Sequence, residues 1–234
     1  SKSHEESRLK SLSHPFIKSN NKHLSDNLGS WELNLDQSSE TFLTDHKIGG
    51  TIIFPGAAQL EIAYEVGKNH YGKNFSHLEN IQFPLALFLP EGGSAAKARL
   101  EISSIAGNYK IFSQQSNSIQ WNHNGLGKMC HLGEGFKPLD DEPLKIIKNR
   151  LITKKNQISV DDFYTKLEGY DLHYGPHFRL VKEMWQDGDE ILAKIEIHSE
   201  EASDMMQYNI IPSLFDACLH VVLNGPKDGL YLPH

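Results

Sequence analysis

Apolar and polar positions alternate in short runs along most of this chain, and the alternation gives way to continuous apolar character in two places. Residues 31–35 (WELNL) follow a period of two, the mark of a half-buried strand. Strand-like runs follow at 81–89, 98–104, 109–115 and 118–129, and again at 180–185 and 191–197. Gly92-Gly93 and Gly107-Asn108 supply turn chemistry between the earlier runs. The first break opens after Pro55 and Gly56. Ala57, Ala58, Leu60, Ile62, Ala63, Tyr64 and Val66 occupy most of a helix's circumference there, which predicts a helix to about 66, buried on most sides. The second is PSLFDACLHVVLN, a helix opened by Pro212.

Between these, Ser159 with Asp162 three residues on approximates a capping box and predicts a short helix to about 167. Residues 1 to about 30 read as a polar surface lead-in holding one short strand, and 133–158 as a linker crossing the surface. The two halves thus share a plan of strands, one apolar helix just after a proline, and more strands. No sequence repeat accompanies it. The expected class is α+β, one antiparallel sheet wrapped around a buried helix, twice. The divisions fall at 1–135, 136–158 and 159–234, and the last part looks too short for a full sheet.

Composition narrows the function. A chain of 234 residues with 38% hydrophobic and 23% charged residues suits a globular protein. Its net charge of −7 argues against nucleic acid or anionic lipid as a partner. Cys130 and Cys218 are too few and too far apart for a disulfide scaffold. The polar start offers no signal-peptide core, and no stretch approaches the roughly 20 apolar residues of a membrane span, so a cytoplasmic protein is expected. Thirteen histidines are scattered without HExxH or a His/Cys cluster, so no metal site is expected. GxSxG, P-loop and GxGxxG fingerprints are missing too.

Three places can carry chemistry. His46 closes a strand-like segment ahead of Gly49-Gly50 and the Pro55-Gly56 helix start, whose unpaired N–H groups can polarise a carbonyl while a neutral imidazole takes a proton. A histidine that merely closes a turn fits as well. Asp216 and His220 lie four apart on one helix face in apolar company, which should raise the carboxyl's pKa and suit a general acid. A structural carboxylate paired with His220 fits the same spacing. Tyr174-Gly175-Pro176, with Phe178, forms a tight loop whose tyrosine can reach a substrate or simply pack in the core.

In order along the chain, HKIGGTIIFP, GYDLHYGPHF and IPSLFDACLH resemble the motifs of modular polyketide synthase dehydratase domains. HPFI at 14–17 and DFYTKLEG at 162–169 are similar to family positions too. The resemblance covers nearly the whole chain and implies a double hot-dog fold with one site shared between its halves. It implies His46 as the base at C2 and Asp216 as the acid for the 3-hydroxyl. His220 would orient Asp216, Tyr174 and Gly175 would line the pocket, and Gly56, after Pro55, would bind the thioester carbonyl. No metal or dissociable cofactor is implied, since a carrier protein presents the acyl chain on its phosphopantetheine arm. Neighbouring synthase domains and a homodimer are implied as partners.

Ile211 stands where the family usually has a histidine, and the family usually continues with strands beyond Leu232-Pro233. Relatives that only move a double bond tend to lose the acid, which this chain keeps. A cyclase on the same site and a silent scaffold module remain as alternatives. The basic run at 144–155 reads as a solvated face that can also meet an acidic carrier protein.

Overall fold

The computed structural model describes residues 14–25, 28–38, 40–90, 97–103, 105–115, 118–131, 141–200 and 202–223. The polar start, the Gly92-Gly93 turn, the first part of the 133–158 stretch and the Leu232-Pro233 end lie outside the described residues.

The first half holds β1 (Ile17–Ser25), β2 (Leu28–Leu33), a 3-10 turn (Thr41–Asp45), β3 (His46–Ile48), β4 (Thr51–Phe54), α1 (Gly56–Tyr71), β5 (Phe75–Gln82), β6 (Leu87–Phe88), β7 (Lys97–Ser103), β8 (Asn108–Gln114) and β9 (Asn122–His131). The second holds α2 (Asp141–Leu151), β10 (Gln157–Ile158), α3 (Val160–Glu168), β11 (Leu172–Tyr174), β12 (Val181–Asp187), β13 (Glu190–Ile195), α4 (Ala202–Met205) and α5 (Pro212–Val222).

Six strands form an antiparallel sheet in the order β1-β2-β7-β8-β9-β5. Its inward positions follow the strand period: Ala98, Leu100 and Ile102 on β7 meet Ser113, Ile111 and Tyr109 on β8, all buried. α1 supplies Ala58, Ile62, Ala63 and Val66 to the same core. Each larger apolar side chain buried there stabilises the fold by about 1.5–3 kcal/mol. Gln59 and Glu61 on α1 are buried as well, and Glu61 is wholly so.

Several boundaries differ from expectation. α1 runs a turn further, to Tyr71. The run at 81–89 is instead the end of β5 and a separate β6, because Pro84 lacks the N–H a ladder needs. The 133–158 stretch carries α2, whose Leu144, Ile147 and Leu151 share one stripe, with Leu151 fully buried. The lead-in holds β1, which pairs with β2.

In the second half β10-β12-β13 form a three-stranded sheet. The Ser159 hydroxyl caps α3 by accepting from the Asp162 N–H at 3.1 Å. β11 leaves this half to join β3, β4 and β6 in a four-stranded sheet. Among the described residues no helix is long and apolar enough to cross a membrane.

Candidate active site

His46 opens a strand rather than closing one. The Thr44 hydroxyl donates to the Thr41 carbonyl at 2.8 Å, and TFLTD curls into a 3-10 turn that buries Phe42 and Leu43. His46 then begins β3, and Gly49-Gly50, with φ of +56° and +79°, turns the chain into β4. The hairpin brings the Ile53 carbonyl to 2.8 Å from His46 Nδ1. A carbonyl only accepts, so Nδ1 carries the proton and Nε2 keeps a free lone pair.

β4 runs into Pro55 and α1. The Gly56 N–H is among the first of the helix and has no carbonyl one turn earlier to bond. A Cβ on Gly56 would come within 3.1 Å of the Phe83 ring.

β11 supplies the second motif. Tyr174 pairs directly with His46 across the β3–β11 ladder. The Gly175 N–H donates to the Asp45 carbonyl at 2.7 Å, and a Cβ on Gly175 would collide with the Asp45 carboxylate. His177 binds that carboxylate through its backbone N–H at 3.1 Å and its ring Nδ1 at 2.5 Å. Asp45 therefore straps the loop after Tyr174 to the turn before His46.

α5 supplies the third. Pro212 begins it, and Asp216 and His220 follow on its buried face. His220 Nε2 lies 2.6 Å from Asp216 Oδ2, and the same oxygen lies 3.6 Å from His46 Nε2. The shorter separation is a charge-assisted hydrogen bond; the longer is beyond hydrogen-bond reach. The Tyr174 ring packs on His220 at 3.8 Å between centroids, and Phe178 closes on His46 at 5.1 Å.

Burial pushes the His46 imidazole below its ordinary value, against the pull of Asp216 and the Ile53 carbonyl, so it stays neutral. For Asp216 the sequence expectation is reversed. Burial pushes the carboxyl up as anticipated, but His220, through its charge and its hydrogen bond, outweighs that with a smaller pull from the nearby His46 ring, and the carboxyl lies below the ordinary Asp value. Burial, with Asp216 nearby, raises the Tyr174 hydroxyl far above its usual range and keeps it a donor.

The seven sequence-predicted residues belong to three segments, 46–56, 174–175 and 216–220, and β3, β11 and α5 bring His46, Tyr174, Asp216 and His220 together. Asp45 and His177 went unassigned in the sequence; an Asp next to the candidate His and a His after Gly-Pro were the available signals. Cys130 and Cys218 are not joined in a disulfide. Among the described residues, one trio able to offer metal ligands, His77, Glu79 and Cys130, has its donor atoms within 4.8 Å of one another, on β5 and β9.

The comparisons with known proteins agree with this geometry. The family model for the polyketide synthase dehydratase domain matches residues 14–114, and that for the polyketide synthase dehydratase N-terminal domain matches residues 153–234. The chain belongs to the polyketide synthase dehydratase family. The spectinabilin polyketide synthase system protein NorA of Streptomyces orinoci is 28% identical to this dehydratase domain over 201 residues, which are 82% of the chain and 10% of NorA. The chain spans a tenth or less of the first curated relatives it matches. The dehydratase domain from the CurK module of curacin polyketide synthase superposes with a TM-score of 0.77 at 24% identity, over 91% of this chain and 74% of that one. The fold is the α+β double hot-dog. Two further CurK structures are inactive mutants, one with a His replaced by Phe and one with an Asp replaced by Asn.

Proposed function

We propose that this domain removes water from a 3-hydroxyacyl thioester held on the phosphopantetheine arm of an acyl carrier protein, within a cytoplasmic synthase. His46 Nε2 takes the C2 proton, and the electron pair left behind forms the C2–C3 double bond. The C3–oxygen bond breaks as Asp216 delivers its proton to the leaving hydroxyl, and water departs. The Gly56 N–H at the helix start stabilises the charge that gathers on the thioester oxygen. Tyr174 lines the pocket beside the leaving hydroxyl, with Gly175 and Pro55 fixing the backbone on either side.

One observation carries this reading: a neutral imidazole lone pair and a carboxyl oxygen from opposite halves converge to 3.6 Å. An acyl chain entering the gap sets apolar atoms between Asp216 and His46, which weakens the pull on the carboxylate and favours its acid form. His220, at 2.6 Å, holds the carboxyl's direction. The loss of activity in CurK variants lacking a His or an Asp supports the pairing. The chemistry calls for no metal or dissociable cofactor. Relatives that are large synthases support neighbouring synthase domains as partners, and a homodimer belongs to the same reading. So does the division into hot-dog subdomains at 1–135 and 159–234, with a linker between.

Mass spectrometry of carrier-bound 3-hydroxyacyl substrates tests the proposal. The native chain should lose water from the bound acyl group, while folded His46→Ala and Asp216→Asn should not. An unchanged mass with native protein across a substrate panel would sink it and bring cyclase, isomerase or scaffold roles forward.

A further inference from the structure

We propose that Glu61, with His14, is a positioning residue that fixes where α5 enters and so holds Asp216 beside His46; this rests on the reading of that pair as acid and base. Glu61 sits five residues into α1 from Gly56 and is fully buried. A carboxylate there persists only if its oxygens are saturated with donors. Four are supplied. Oε1 accepts from His14 Nε2 at 3.0 Å, from the Asn209 N–H at 2.9 Å and from Asn209 Nδ2 at 3.0 Å. Oε2 accepts from the Ile210 N–H at 2.6 Å. The Phe16 N–H donates to His14 Nδ1 at 3.2 Å, which places the ring proton on Nε2, facing Glu61.

Three of the four donors come from residues 209–210, immediately ahead of the Pro212 that begins α5. Asp216 follows about one turn later. Neighbouring contacts fasten the same stretch. Lys68 Nζ donates to Asn209 Oδ1 at 2.5 Å, and Asn209 Nδ2 also reaches Glu65 Oε2 at 2.8 Å. The Tyr208 hydroxyl donates to Glu40 Oε2 at 2.6 Å, next to the turn that leads into His46. The helix that offers the Gly56 N–H therefore grips the chain that delivers the acid. A leucine at 61 would serve packing alone. A carboxylate fixes the direction of two backbone N–H groups, which packing does not do.

Glu61→Gln tests the idea, because the amide has the same shape but must turn a donor toward groups that are all donors. Misplacement of a reacting group by about 1 Å can cost about 10²-fold in rate. The variant should lose roughly 10-fold or more in kcat with KM nearly unchanged, while keeping native secondary structure. A second readout needs no turnover: the His46 imidazole titration, followed by NMR and assigned through His46→Gln. Asp216→Asn should move that titration down by removing the carboxylate, and Glu61→Gln should move it part of the way in the same direction. If Glu61→Gln does not fold, Asn209→Ala decides, since it removes one donor and leaves both backbone N–H groups; the same two changes should appear, smaller. Native kcat and a native His46 titration in the folded variant would overturn the proposal. A shifted titration in a chain that dehydrates nothing would uphold the positioning role and sink the dehydratase reading instead.

Discussion

The helix that begins at Gly56 and the helix that carries Asp216 both serve the proposed site, and they are anchored by different physics. α1 lies in the curve of a six-stranded sheet and buries Ala57, Ala58, Leu60, Ile62, Ala63 and Val66 around its circumference. α5 buries Pro212, Ser213, Asp216, Ala217 and His220, while Phe215 is 37% and Val222 73% exposed. The helix that presents a backbone N–H is held by apolar contacts. The helix that carries Asp216 gives two of its five buried positions to the Asp216–His220 hydrogen-bonded pair. Where chemistry occupies the buried face, entry contacts such as those of Glu61 must do what packing does for α1.

The largest expected effect separates those roles. Asp216→Asn should cut dehydration by about 10²–10⁴-fold, the usual contribution of a positioned acid, or about 2.7–5.4 kcal/mol of barrier. Its urea unfolding midpoint should fall only modestly, because asparagine keeps the side chain's shape and an oxygen that can accept from His220 while the charge is lost. A collapse of stability alongside activity would break the contrast. Ile62→Ala should do the reverse, lowering stability by about 2–5 kcal/mol in urea while kcat stays native at temperatures where the chain is folded.

A middle-sized effect tests the strap between the halves. Gly175→Ala drives a Cβ into the Asp45 carboxylate, and relief either pulls that carboxylate off His177 or shifts β11 against β3. Overpacking of this kind costs about 1–3 kcal/mol, visible as a lower thermal midpoint, and Tyr174 should lose its place opposite His46. Native stability and native kcat would show that the loop yields freely.

These contrasts were unevenly legible in the sequence. The apolar run at 57–66 and the Asp216–His220 spacing announce buried helices, since one period explains each. Ser159 with Asp162 announces a cap for the same reason. What the sequence hid is what depends on distance in space. Nothing local says that Tyr174 faces His46, because the ladder joins strands more than a hundred residues apart. The direction of the Asp216 pKa runs against the sequence expectation because apolar neighbours are visible in sequence, whereas the closeness of His220, 2.6 Å from the carboxyl, is set by side-chain geometry that spacing alone does not show. Glu61 gave a signal, a carboxylate inside an apolar helix, but its partners at 209–210 could not be guessed. The α2 stripe was obscured by its lysines and arginine.

The pH dependence should follow from the same pair. His46 in the fold lies below its ordinary value of 6.5, so the unfolded chain takes up this proton first as pH falls. The associated stability is complete above 6.5 and drains below it until the folded imidazole also protonates. Asp216, held below 3.8, adds a second loss as pH falls through its folded value. In His46→Gln the upper decline should flatten when unfolding is followed by urea titration from pH 8 to 4. An unaltered slope would assign that decline to other histidines.

The smallest effect is the sharpest check on the difference between the helices. Phe215 sits one residue before the acid yet turns outward, 37% exposed, while its neighbour Asp216 is buried. On α1 an isoleucine-to-serine change at Ile62 would remove most of a fully buried side chain's contribution. At 215 the side chain has given up only part of its surface, and serine keeps the backbone and the N-terminal turn of α5 intact. Phe215→Ser should therefore lower unfolding free energy by about 1 kcal/mol, well short of the roughly 3–5 kcal/mol of a fully buried aromatic, and leave kcat native. A loss of that larger size would mean that α5 draws real stability from its outer face, and the account of a helix held by its entry contacts and its acid pair would have to give way.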